Sequence, residues 1–137
     1  CGSACYDCLM VYRNMTYHGL LDWRLAISYL KAILVSNYRA GLDNDFSSPE
    51  LQGWIELATK VRDNFIHYFG YKPITFSKLP GFEAGKRIYM VVHPLWDKKS
   101  PSGIFAEAVA EAGNNIYRYI NTFNLLRRPG WCRREVE

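Results

Sequence analysis

Three cysteines at the very start, Cys1, Cys5 and Cys8 in a C-x3-C-x2-C spacing, constrain this chain more than any other feature. Three thiols within eight residues pair poorly as disulfides, and nothing in the sequence marks secretion. A tight turn at this spacing brings sulfurs within about 4 Å of one another, as tetrahedral zinc with Zn–S bonds of about 2.3 Å requires. The expectation is a structural Zn2+ site. A catalytic zinc would want an open water position and a nearby carboxylate. An iron–sulfur cluster uses the same thiolates and is the minor alternative. Zinc needs a fourth ligand. The candidates are Cys132, which is the only other cysteine, the three histidines His18, His67 and His93, or a residue upstream. The chain opens inside the motif and without Met, so the natural N-terminus is expected upstream.

The rest of the sequence alternates helical and strand periodicities. Residues 20–38 predict an amphipathic helix whose apolar stripe runs through Leu21, Leu25, Tyr29, Ala32 and Ile33, widened by Leu30 and Leu34. Residues 39–49 are a linker by composition. Ser48, Pro49 and Glu50 then supply a cap, a first-turn proline and a first-turn acid for a second helix over 49–69. Gly70 stops it. "KPITFSKLPGF" and "KRIYMVVHPLW" predict two strands joined by a glycine-containing turn. The unbroken apolar run Ile88–Val92 predicts a strand covered on both faces. A third helix is expected over 100–113, and "IYRYINTFNLL" as a last strand. The fold class is α+β or α/β: a helical zinc-binding module over residues 1–40, followed by a compact domain, 41–137, with a small mixed sheet and flanking helices.

Charge and composition add limits. The net charge of +4 is compatible with nucleic acid without requiring it. No apolar run approaches the roughly 20 residues of a membrane span, so no membrane partner is expected and the default location is cytoplasmic. Aromatics reach 15%, which serves a small core or stacking on bases. The basic run "RRPGWCRR" is the best nucleic-acid candidate. Arg127, Arg128, Arg133 and Arg134 offer planar donors to phosphates, and Trp131 offers a ring to an unpaired base. The same run also suits a solvated tail, or docking on acidic groups of a parent protein.

The opening thirty residues carry more than cysteines. Cys1, Cys5, Cys8, Leu9, Tyr12, His18, Leu21 and Asp22 together resemble the MrfA-type zinc-binding domain, formerly a domain of unknown function, which follows the motor core of many large DEAD/DEAH-box superfamily 2 helicases. The chain departs from the commoner forms of that pattern with Tyr-Arg-Asn at 12–14 and Leu-Asp-Trp-Arg at 21–24. The resemblance implies that a fourth cysteine usually lies upstream of the triplet, which weakens Cys132 as the fourth ligand without removing it from the set Cys1, Cys5, Cys8 and Cys132. It also implies a zinc-binding C-terminal accessory domain, one that supports DNA binding or motor integrity in DNA repair or in antiphage systems of the DISARM type. The chain alone would then not be an enzyme. ATP would bind the absent upstream motor, and the partners would be DNA and the helicase core or a subunit of a defence complex. The alternative is an interaction scaffold with a degenerate nuclease-like domain.

Other chemistries lack their residues. Glu83 and Lys86 stand in "EAGK", the wrong strand spacing for an Mg2+-dependent nuclease, and Asp97 and Lys98 are adjacent. "GFEAGK" does not space as a phosphate loop. His93 ends the apolar strand with no Ser or Cys partner in sequence, which suits a structural histidine. Glu107 and Glu111 fit a solvated helix face.

Overall fold

The computed structural model describes residues 1–113 and 117–137. A 3-10 segment, Tyr12–Leu20, leads into α1, Trp23–Leu34. Then follow α2 (Trp54–Phe69), β1 (Lys72–Phe76), β2 (Leu79–Ala84), β3 (Arg87–Val92), α3 (Gly103–Ala112), β4 (Tyr117–Asn121), α4 (Thr122–Arg127) and α5 (Pro129–Val136). The fold is α+β, with one four-stranded mixed sheet in the order β1-β2-β3-β4. The first three strands form an antiparallel meander, and β4 pairs parallel to β3 after the α3 crossover.

The register explains the two layers. Phe82, Tyr89 and Arg118 are aligned across β2, β3 and β4 on one face. There Phe65 of α2 meets Phe82, which stacks on Tyr89 at 5.1 Å. Met90 and Tyr119 share the other face, where Phe105 of α3 meets Tyr119 edge-on. Tyr89, Met90, Val91 and Val92 are all buried, as their unbroken apolar run predicts. Buried Arg62 fastens α2 to the first hairpin, donating from Nη1 to the carbonyls of Ile74 and Gly81, each at 2.8 Å.

Several boundaries differ from the sequence expectations. The predicted strand "KPITFSKLPGF" is a hairpin, folded back at Ser77, whose φ of 52° needs no glycine signal. The predicted turn at Gly85 is present. The second helix begins at Trp54, not at Pro49. Ser48 donates its hydroxyl to Glu50 at 3.0 Å instead of capping, and residues 49–53 form turns closed by Leu51 and Gln52 N–H groups on the Ser48 carbonyl. The expected last strand stops at Asn121, whose Oδ1 accepts the Asn124 N–H at 2.8 Å and starts α4. Ile116, its first expected residue, lies outside the described residues. The basic run is not a tail: Pro129 opens α5, which buries Cys132 and Val136 one turn apart.

The largest departure concerns α1. It starts at Trp23 because Asp22 caps it, accepting the Arg24 and Leu25 N–H groups. It then presents its polar side to the body. Ser28 is buried, Lys31 pairs with Glu50, and Arg24 donates to the Gln52 carbonyl. The expected buried stripe is largely open: Tyr29, Leu30, Ile33 and Leu34 are all more than half exposed. Burying the Glu50 carboxyl demands a cation, and Lys31 answers it by turning this face inward.

Candidate metal centre and nucleic-acid interface

The three N-terminal cysteines converge. Cys8 Sγ lies 3.6 Å from Cys1 Sγ and 3.7 Å from Cys5 Sγ, and all three sulfurs lie within 4.8 Å of one another. Two backbone bonds close the turn: Cys8 and Met10 N–H groups both donate to the Cys5 carbonyl. The Cys5 N–H points at Cys8 Sγ from 3.1 Å and lowers that thiol below its ordinary range. The turn is anchored to α1, for Trp23 donates its backbone N–H to Ser3 and its Nε1–H to the Cys1 carbonyl. Sulfur separations near 3.7 Å are those of a tetrahedral thiolate site with roughly 2.3 Å metal bonds, so a metal ion fits this donor set.

The other candidate ligands stand apart from the cluster. Cys132 is fully buried on the inner side of α5, where burial pushes its thiol up to about 11, and it belongs to the hydrophobic core. It does not join the group that Cys1, Cys5 and Cys8 form. His18 turns Nε2 to the Val11 carbonyl and Asn14 Oδ1, and its ring meets Tyr6 edge-on. His67 is exposed on α2. Among the described residues, no fourth donor joins the triplet.

His93 sits at the end of the buried strand β3. It is buried against Trp54 and Trp96, and its Nδ1 accepts the Leu95 N–H at 3.2 Å. Burial pushes the imidazole down to about 4, so it is neutral at pH 7 with the proton on Nε2.

The four arginines have different neighbours. Arg127 turns back to the Leu21 carbonyl, at 3.4 Å. Arg133 lies over Phe69 and pairs with Glu137 at 2.7 Å. Arg128 lies over the Trp131 ring at 5.4 Å, and Arg134 is exposed. Trp131 instead opens toward β4. A groove of about 310 Å3 runs there, lined by Trp131, Tyr117, Tyr119, Arg118, Lys98 and Glu135 among others. The alternation in "YRYIN" is the signal that could have found this groove, but it reads equally as an ordinary strand. Of the large apolar side chains left exposed among the described residues, all but Tyr68 and Leu126 lie between Tyr6 and Val35. No helix among the described residues is long and apolar enough to cross a membrane.

The fold and this site define a small α+β domain carrying a thiolate triplet capable of holding a metal. No family model, curated protein or solved structure matches the chain.

Proposed function

We propose that this chain is a zinc-stabilised accessory domain that works on nucleic acid beside an ATP-dependent motor of the superfamily 2 helicase type, in DNA repair or antiphage defence. The observation that carries the reading is the triangle of Cys1, Cys5 and Cys8 sulfurs, tied by Trp23 to the first turn of α1. Zinc in that triangle closes the turn and fixes the approach of α1. The Asp22 cap, three residues ahead of Leu25, agrees with the Leu-Asp helix start that the resemblance implies. ATP chemistry belongs to the motor, since the chain's own sequence has no phosphate loop.

Metal analysis of the reduced, folded protein is the first test, with one zinc per chain expected. The coding sequence upstream of Cys1 is the second, and helicase motor motifs are expected there. A folded protein without metal would sink the zinc assignment, and an upstream sequence without motor motifs would sink the helicase assignment.

The exposed apolar face favours a second reading, an interaction scaffold. Tyr29, Leu30, Ile33 and Leu34 form an uncharged helical stripe that suits a protein neighbour. Copurification of one stable protein partner in the absence of nucleic acid would support it over the first.

A further inference from the structure

The groove along β4 has a chemistry of its own, and its reading rests on the nucleic-acid part of the function proposed above. Among the described residues β4 ends the sheet, and no further strand covers its outer edge. Arg118 aligns with Tyr89, whose hydroxyl reaches the carbonyls of Glu135 and Val136 in α5. Arg118 therefore stands on the α5 side of the sheet, with Trp131. Tyr117 and Tyr119 stand on the other side, their ring centroids 5.7 Å apart. The groove thus wraps the sheet edge, with an aromatic wall on each side. Its cations are Arg118 and Lys98, both exposed, and its one acid is Glu135.

Each alternative ligand fits this lining less well. An apolar peptide calls for an apolar groove, and this one mixes polar and aromatic groups. A duplex keeps its bases stacked on one another and offers no free ring face to a tyrosine. An unpaired strand offers ring faces and phosphates in alternation, as the groove does. The volume, about 310 Å3, falls at the lower end of pockets that hold small organic ligands (~300–1,000 Å3), enough for a nucleotide or two rather than a long segment. We propose that this groove binds single-stranded nucleic acid, seating one base against Trp131, the next against the Tyr117–Tyr119 pair, and the phosphate between them on Arg118 and Lys98. Arg128, stacked on Trp131, covers part of that ring and is displaced or retained as a second stacking partner when the base arrives.

The test is fluorescence anisotropy of the purified chain with labelled dT12 and with a labelled 12-base-pair duplex, at several salt concentrations. Binding of dT12 should exceed that of the duplex. Trp131→Ala and Tyr117→Ala should each weaken dT12 about tenfold, as loss of one stacked base does. Arg118→Ala should lower the salt slope by about 0.7, the value for one single-strand phosphate contact. Lys72→Ala, on the opposite sheet edge, should change neither. Thermal melting checks each variant. If Trp131→Ala fails to fold, exposed Arg118 and half-buried Tyr117 still decide the matter. Equal binding of both probes, indifferent to the groove variants, would overturn this proposal and leave the nucleic-acid reading standing. Binding of neither probe would overturn both.

Discussion

Lys31 Nζ lies 2.7 Å from Glu50 Oε1, and the pair joins α1 to the turns that precede α2. Its two members sit in different surroundings: the Glu50 side chain is 1% exposed and that of Lys31 is 37% exposed. Burial pushes the Glu50 carboxyl up, but Lys31, its own backbone and Ser48 outweigh burial and hold it below its ordinary value. Tyr38 adds a donor at 3.2 Å. Replacing Lys31 with Met leaves a buried carboxylate short of its cation. The expected loss is about 2 kcal/mol by urea denaturation at pH 7, below the full cost of breaking a buried pair because water reaches Lys31. The double change Lys31→Met with Glu50→Leu should recover part of it. A single-variant loss under 0.5 kcal/mol, as for ordinary surface pairs, would contradict this account.

His93 predicts a pH dependence. Its folded-state value of about 4 lies below the ordinary 6.5, so the unfolded chain takes up a proton first as pH falls. The stability that His93 contributes is therefore complete above pH 6.5 and is lost progressively between pH 6.5 and about 4, to a total on the order of 3 kcal/mol. His93→Asn should flatten the stability profile across that window. Parallel profiles for the two proteins would show that the buried imidazole is not the titrating group.

The cysteines separate into two kinds. Cys5→Ser should lower metal content and loosen residues 1–20 to amide exchange while the sheet stays protected. Cys132→Ala should leave metal stoichiometry unchanged and cost about 1 kcal/mol of stability through lost packing. In the folded protein, Cys132 should resist alkylation that modifies metal-stripped Cys8. Loss of metal from Cys132→Ala would return it to the ligand set.

Gly103 tolerates a side chain poorly. Its φ is +52°, and a Cβ there would collide with the Leu42 carbonyl, which accepts the Ile104 N–H at 2.9 Å. Gly103→Ala should cost about 3 kcal/mol, whereas Gly85→Ala, at φ +62° with open space around it, should cost about 1 kcal/mol. Urea midpoints measure both, and equal costs would show that the collision at Gly103 is relieved.

Much of this architecture was readable from the sequence because its signals are local. The unbroken run at Ile88–Val92, the glycine turn at Gly85 and the cysteine spacing each rest on neighbours a few residues apart. What stayed hidden depends on distant partners. The stripe of α1 reads as a core face until Glu50, nineteen residues beyond Lys31, claims the opposite side. Cys132 reads as a surface thiol until α5 is seen to bury it in the core. The β4 groove needs Lys98 of the β3–α3 loop, Tyr117 of β4 and Trp131 of α5 brought together. The hairpin at Ser77 was missed for a different reason, since a left-handed serine leaves no composition signal.

The hydrogen bond from Arg127 to the Leu21 carbonyl spans 106 positions of sequence. On a ribosome this sets an order of events. The cysteines emerge before Arg127, and this one contact to the residues ahead of α1 waits for it. At about 5–20 residues per second, the wait is roughly 5–20 s. For that interval the cysteine turn is free to gather its metal as a bead on an unfinished chain. The apolar stripe of α1 is meanwhile exposed to chaperones, and to anything else in the nascent polypeptide that is ready to cover it.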